Sequence, residues 1–178
     1  MRDRVVMVEN VGQHSGQEVR ICGWVYSKRS SGKIKFILLR DGTGIIQCVL
    51  VKDEVDPETF ERYNELTQET SVVITGVINE DARAPIGFEM LVRGLEIVQV
   101  AEEYPITPKE HSTAYLLDRR HLWIRSSKQN AVLRVRAEVI RAVRNFLDEE
   151  GFILADTPIF TPTSCEGTST LFETKYFD

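Results

Sequence analysis

Five β-type runs of apolar residues fill the first hundred positions, at residues 18–27, 34–40, 45–51, 71–78 and 88–98. In the first, Val19, Ile21 and Val25 set against Arg20, Tyr26 and Lys28 give the alternation of a half-buried strand. Asp41-Gly42-Thr43-Gly44 signals a tight turn between the second and third runs. Between the third and fourth, residues 56–66 read as a helix. Asp56 is its N-cap candidate, Pro57 fits the first helical position, and Phe60, Tyr63 and Leu66 recur at helical spacing.

Three strands, a helix and two strands is the element order of the OB-fold, a five-stranded barrel that often binds oligonucleotides. Residues 79–87 then form the loop joining its last two strands. Residues 101–127, with Pro105 and Pro108, read as a linker and the entry to a second domain. Residues 128–150 predict a long amphipathic helix, with Leu133, Ile140, Val143 and Leu147 stepping along one side. Ser127 is the expected N-cap and Gly151 the stop. After Gly151 the pattern predicts a short strand, a pairing break at Pro158, and a loop holding Glu166 among small hydroxyl residues. The division is therefore 1–101 for the barrel, 102–127 for the linker, and 128–178 for the start of an α+β domain. Too little chain follows the helix to cover so wide an apolar stripe, so this unit is expected to be a fragment or to need a partner.

Composition narrows the class. Of the 178 residues 42% are hydrophobic and 28% charged, ordinary for a globular protein, and no apolar run approaches the roughly 20 residues of a membrane span. The N-terminus has no apolar core of a signal peptide, so a cytoplasmic protein is expected. Cys22, Cys48 and Cys165 are too scattered for a disulfide framework, and His14, His111 and His121 are isolated, so no metal site is expected. Cys22 and Cys48 each lie in an apolar run and read as small core residues. A net charge of −5 argues against a general polyanion binder, yet residues 19–40 hold six cations and no acid. The rest of the chain sets 16 cations against all 27 acids. That is the footprint of a local nucleic-acid surface, or simply a solvated strand face.

Within the basic run, Phe36 shares strand parity with Ile34 and Leu38. It reads either as a core aromatic or as an exposed ring that stacks an unpaired base. Gln47 is the strongly polar residue of an otherwise apolar strand. Its amide needs an exit to solvent or a partner, either a loop backbone or the donor–acceptor edge of a uracil. Lys28 and Arg29, ahead of Ser30-Ser31-Gly32, are candidates for phosphate or base-edge contacts. Glu166 is a surface carboxylate or a group that holds a substrate ammonium.

Several strings resemble class II aminoacyl-tRNA synthetases of subclass IIb, and among them the bacterial-type asparaginyl enzymes. Gly23-Trp24-Val25-Tyr26-Ser27-Lys28-Arg29 and the run from Phe36 to Gln47 are similar to the subclass's anticodon-binding barrel. Tyr104-Pro105-Ile106-Thr107-Pro108, Arg120-His121-Leu122-Trp123-Ile124-Arg125 and Glu166-Gly167-Thr168-Ser169-Thr170-Leu171-Phe172 resemble the asparagine branch. The resemblance implies that Phe36 stacks on the middle anticodon base, that Gln47 reads its uracil edge, and that Arg29 and Lys28 bind beside them. It implies that Glu166 holds the amino acid's ammonium on a mobile loop, and that Pro158 and Phe152 lie at a homodimer interface. The implied ligands are tRNA-Asn, asparagine, ATP and Mg2+. The motifs that hold ATP are not found in this sequence, so no residue here is expected to be catalytic and the chain alone is expected to be inactive. An archaeal-type aspartyl enzyme and a non-catalytic RNA-binding module are the competing readings.

Overall fold

The computed structural model describes residues 5–107 and 109–160 and divides between Glu110 and His111 into two compact units, each described by itself. The first contains strands β1 (Glu18–Ser31), β2 (Ile34–Arg40), β3 (Ile45–Val51), β4 (Ser71–Glu80) and β5 (Phe88–Gln99), with helix α1 (Pro57–Arg62) between β3 and β4. They close into a barrel in the order β1-β2-β3-β5-β4. The expected OB architecture is present, and the five strands begin where the hydrophobic pattern puts them. β1 extends four residues further than expected, to Ser31.

Closure depends on β1 serving two neighbours. Its first half pairs antiparallel with β4, from Glu18 opposite Val77 to Trp24 opposite Ser71. Its second half pairs with β2, ending with Arg29 opposite Phe36 and Ser31 opposite Ile34. A bulge between Val25 and Ser27 bends the strand from one partner to the other. The ring is completed by a short parallel contact in which Gln47, Cys48 and Val49 lie opposite Glu89, Met90 and Leu91.

The pleat decides what is inside. Ile21, Ile37, Leu39, Ile46, Cys48, Leu50, Ile74, Ile78, Met90 and Val92 are fully sealed, and Phe60, Tyr63 and Leu66, from the connection between β3 and β4, join the same core. Cys22 corrects the expectation of a core thiol. It is exposed, because Ile21 takes the inward position and the next side chain must point out. Cys48 is buried as expected, and burial, with the Glu89 charge second, pushes its thiol pKa up. The turn after β2 forms as its residues predict. The Asp41 carboxylate accepts from Thr43 N–H (2.7 Å), the Thr43 hydroxyl (2.7 Å) and Gly44 N–H (2.9 Å), and its other oxygen accepts from Val8 N–H at 2.7 Å. That last bond ties down a 3-10 turn (Val8–His14) that the hydrophobic pattern does not announce. Asp56 caps α1 by accepting from Thr59 N–H at 2.9 Å. The Thr59 hydroxyl and N–H hold its carboxyl below the usual aspartate range.

The second unit holds α2 (Thr113–Asp118), α3 (Arg120–Trp123) and α4 (Ser127–Glu149). The first two occupy what reads as linker in the sequence; they are too short to carry a periodic signal. The N-cap of α4 is Ser126, which accepts from Gln129 N–H, rather than Ser127. Gly151 ends the helix in the left-handed region at φ +85°, where a residue without Cβ is unstrained. The short strand expected after it does not form within residues 152–158, since none of the unit's described residues offers it a neighbouring strand. Val135, Val139, Val143 and Phe146 on α4 are exposed, as are Phe152 and Pro158.

Gly76 sits at a bulge between β4 and β5, where a Cβ would lie 2.3 Å from the Leu91 carbonyl oxygen. Gly76→Ala should therefore lower the unfolding free energy by about 1–3 kcal/mol in urea denaturation, as overpacked cores do; an unchanged midpoint would contradict this account of closure.

Candidate nucleic-acid interface

Phe36 and Gln47 both face outward. Lys35, Ile37 and Leu39 take the buried parity of β2, so Ile34, Phe36 and Leu38 share the outer wall. This overturns the core-aromatic reading: the parity match with Ile34 and Leu38 is real, but all three lie outside. On β3, Ile46 and Cys48 are buried and Gln47 between them is half-exposed. Gln47 lies opposite Leu38 on one side and Glu89 on the other, and Arg29 lies opposite Phe36. Three strands thus bring the ring, the amide and the guanidinium onto one patch.

The contacts within the patch are specific. The Arg29 guanidinium carbon lies 3.8 Å from the centroid of the Phe36 ring, a cation–π contact. Arg29 Nη2 donates to Gln47 Oε1 at 3.2 Å, and Gln47 Nε2 donates to Glu89 Oε2 at 3.1 Å. A cation on the carbonyl side and a carboxylate on the amino side set the orientation of the amide. Each contact uses one of the two positions on its side, so the amide retains chemistry for one further donor and one further acceptor. The partners are side chains, not the loop backbone that was the alternative. Glu89 escapes sequence reasoning because it reaches Gln47 only through the parallel β3–β5 contact, 42 residues along the chain. A carboxylate in an otherwise apolar stretch of β5 is the hint that was available.

Lys28 does not join this group. Its ammonium donates to the backbone carbonyls of Tyr63 (3.1 Å) and Asn64 (3.4 Å) and lies 4.8 Å over the Tyr63 ring. Burial, and then the charge of Lys35, lower its pKa. Lys35 is buried and donates to Phe60 O (2.9 Å) and Asn64 Oδ1 (3.3 Å). The other cations of the basic run are largely neutralised: Arg20 pairs with Glu96, Lys33 with Asp53, and Arg40 with Glu69. The six charges therefore do not form a continuous basic surface; Arg29 is the cation that joins Phe36 and Gln47 on the outer wall. Glu166 lies outside the described residues. No group of three or more His, Cys, Asp or Glu among the described residues is placed to hold a metal ion, and no helix among them is long and apolar enough to cross a membrane.

Residues 19–98 match the family of OB-fold nucleic acid binding domains, and residues 112–177 match the tRNA synthetases of class II (D, K and N). The chain is 52% identical over 170 residues to an asparagine–tRNA ligase of Desulforamulus reducens and 54% identical over 171 residues to one of Symbiobacterium thermophilum. Each match covers 96% of this chain but only 39% of the relative, so the chain spans well under half the length of these proteins. Among solved structures it resembles asparaginyl-tRNA synthetase from Pyrococcus horikoshii complexed with asparaginyl-adenylate, with a TM-score of 0.86 and 40% identity over 99% of this chain and 41% of that one. The Entamoeba histolytica enzyme with the same adenylate gives 0.73 and 28% identity over 89% of this chain and 39% of that one.

If the patch serves binding rather than folding, Arg29→Ala should change the unfolding free energy by no more than about 0.5 kcal/mol, as for ordinary surface positions. A loss of several times that in urea unfolding would make Arg29 a structural residue.

Proposed function

This chain belongs to the tRNA synthetases of class II (D, K and N), and from that premise we propose that it supplies the anticodon-binding barrel and the opening of the catalytic domain of an asparagine–tRNA ligase. The observation that carries the reading is the outward group of Arg29, Phe36 and Gln47 on a barrel whose core is complete without them. In this reading Phe36 is the platform on which the unpaired middle base of the tRNA-Asn anticodon stacks. Such stacking is worth about 1–3 kcal/mol and tolerates any base. Gln47 adds selectivity: its remaining N–H and lone pair match the O4 and N3–H of uracil, a pairing cytosine does not offer. Arg29, bonded to Gln47 and stacked on Phe36, places a positive charge where the RNA backbone or base edge arrives.

The whole enzyme activates asparagine with ATP and Mg2+ in the cytoplasm and transfers it to tRNA-Asn. Glu166 holds the amino acid's ammonium, and Pro158 and Phe152 lie at the interface of a homodimer. The identity to named asparagine–tRNA ligases supports the activity, and the exposed apolar side of α4 supports a further protein surface over it. This chain alone forms no aminoacyl-adenylate; asparagine-dependent pyrophosphate exchange by the purified chain is expected at background, and a measurable rate would refute that statement.

Titration with anticodon stem-loops that differ only at the middle base tests the reading. The intact chain should prefer uridine. Gln47→Ala should erase that preference, and Phe36→Ala should weaken every loop by about 1–3 kcal/mol. Equal binding of all loops by the intact chain would sink both assignments.

A further inference from the structure

Two lysines precede the two residues that stack on the outer wall: Lys28 before Arg29, and Lys35 before Phe36. Neighbours on a strand point to opposite faces, and Lys28 lies opposite the buried Ile37. Both ammonium groups accordingly turn away from the outer patch to the same place, the carbonyl end of α1 and the 3-10 turn that follows it (Tyr63–Glu65). Lys28 takes Tyr63 O and Asn64 O, and Lys35 takes Phe60 O and the Asn64 side chain. The last carbonyls of a helix lack intrahelical donors and carry the negative end of its dipole, so cations suit them. The rings of Phe60 and Tyr63 add faces to the same cluster, with Lys35 Nζ 3.9 Å from the first centroid and 4.8 Å from the second. Asn64 is fixed in turn by its donation to Glu61 at 2.7 Å. The end of the β1–β2 hairpin, with its exposed tip at Ser30, Ser31 and Gly32, is thus tied to the helix by exposed Lys28 and buried Lys35, while Arg29 and Phe36 stand on the outer wall.

We propose that Lys28 is a positioning residue for base reading: it docks the β1–β2 arm onto the carbonyl end of the helix and so holds Arg29 over Phe36, without itself touching RNA. The inference rests on the anticodon reading of the outer patch. It replaces a direct role for Lys28 with an indirect one, and the two roles differ in salt dependence. A lysine that neutralises a phosphate contributes about 0.7–0.9 to the slope of log K against log salt, whereas a residue facing the helix contributes none.

The experiment titrates the chain with an anticodon stem-loop carrying uridine at the middle position, over a series of salt concentrations. Lys28→Met should weaken binding by about fivefold or more, the size of a partly lost stacking contact, with the slope unchanged. A slope lower by about 0.7 or more would make Lys28 a phosphate ligand and overturn the proposal, as would unchanged binding. Lys28→Gln, a neutral side chain one bond shorter that keeps an N–H donor, should recover part of the affinity lost in the methionine variant, at an unchanged slope. Should the methionine variant fail to fold, the glutamine variant decides by the same slope. A native chain that prefers uridine while both variants behave as phosphate-ligand losses refutes this inference alone. A native chain that binds all loops alike removes the anticodon reading, and this inference falls with it.

Discussion

The pleat of β2 is the constraint on which the remaining structure depends. A strand has two faces and no intermediate setting, so burying Ile37 and Leu39 compels Phe36 to stand outside. A one-residue slip of register would bury Phe36 and expose the core pair together. Antiparallel pairing with β3, from Ile34 opposite Val51 to Arg40 opposite Ile45, and with β1 fixes that register on both sides. The turn at Asp41, whose carboxylate gathers three bonds from the turn and one from the N-terminal segment, fixes it at the end. The barrel core thus determines where the aromatic platform is, although the platform contributes little to that core.

Charge on this barrel is spent locally before it is offered to a partner. Arg40 reaches both oxygens of Glu69 at 2.7 and 2.8 Å in a largely buried pair, while Lys28 and Lys35 serve helix carbonyls. The outward group that remains is compact: one guanidinium, one ring and one oriented amide, with Glu89 behind the amide. On the proposed reading a site of this kind discriminates by geometry more than by attraction, which accords with the net charge of −5.

Much of this was legible in the residues, and the misses have physical reasons. Period-two patterning located all five strands, and Asp56 with Pro57 located the helix, because those signals act over a few neighbouring residues. The direction of Phe36 was not legible, since Lys35 occupies an inward position and breaks the expected apolar alternation. A lysine is tolerated there because the Phe60 carbonyl and the Asn64 side-chain oxygen, 25 and 29 residues away, accept from its ammonium. Glu89 was missed for the same reason, as its role exists only through long-range pairing. Gln47 was the opposite case: a polar residue amid apolar neighbours demanded a partner before any fold was known, and it has two. In the second unit, the N-cap moved by one serine and α2 and α3 were too short to announce themselves.

On the proposed reading the outward ring of Phe36 meets the middle base of the anticodon loop. Intermolecular NOEs in a complex of the isotope-labelled chain with an anticodon stem-loop test it most directly. Cross-peaks are expected between the Phe36 ring protons and H5 and H6 of the middle uridine, with the ring resonances shifted by the stacked base. Unshifted Phe36 resonances in a saturated complex, with NOEs arising from another face of the barrel, would contradict it.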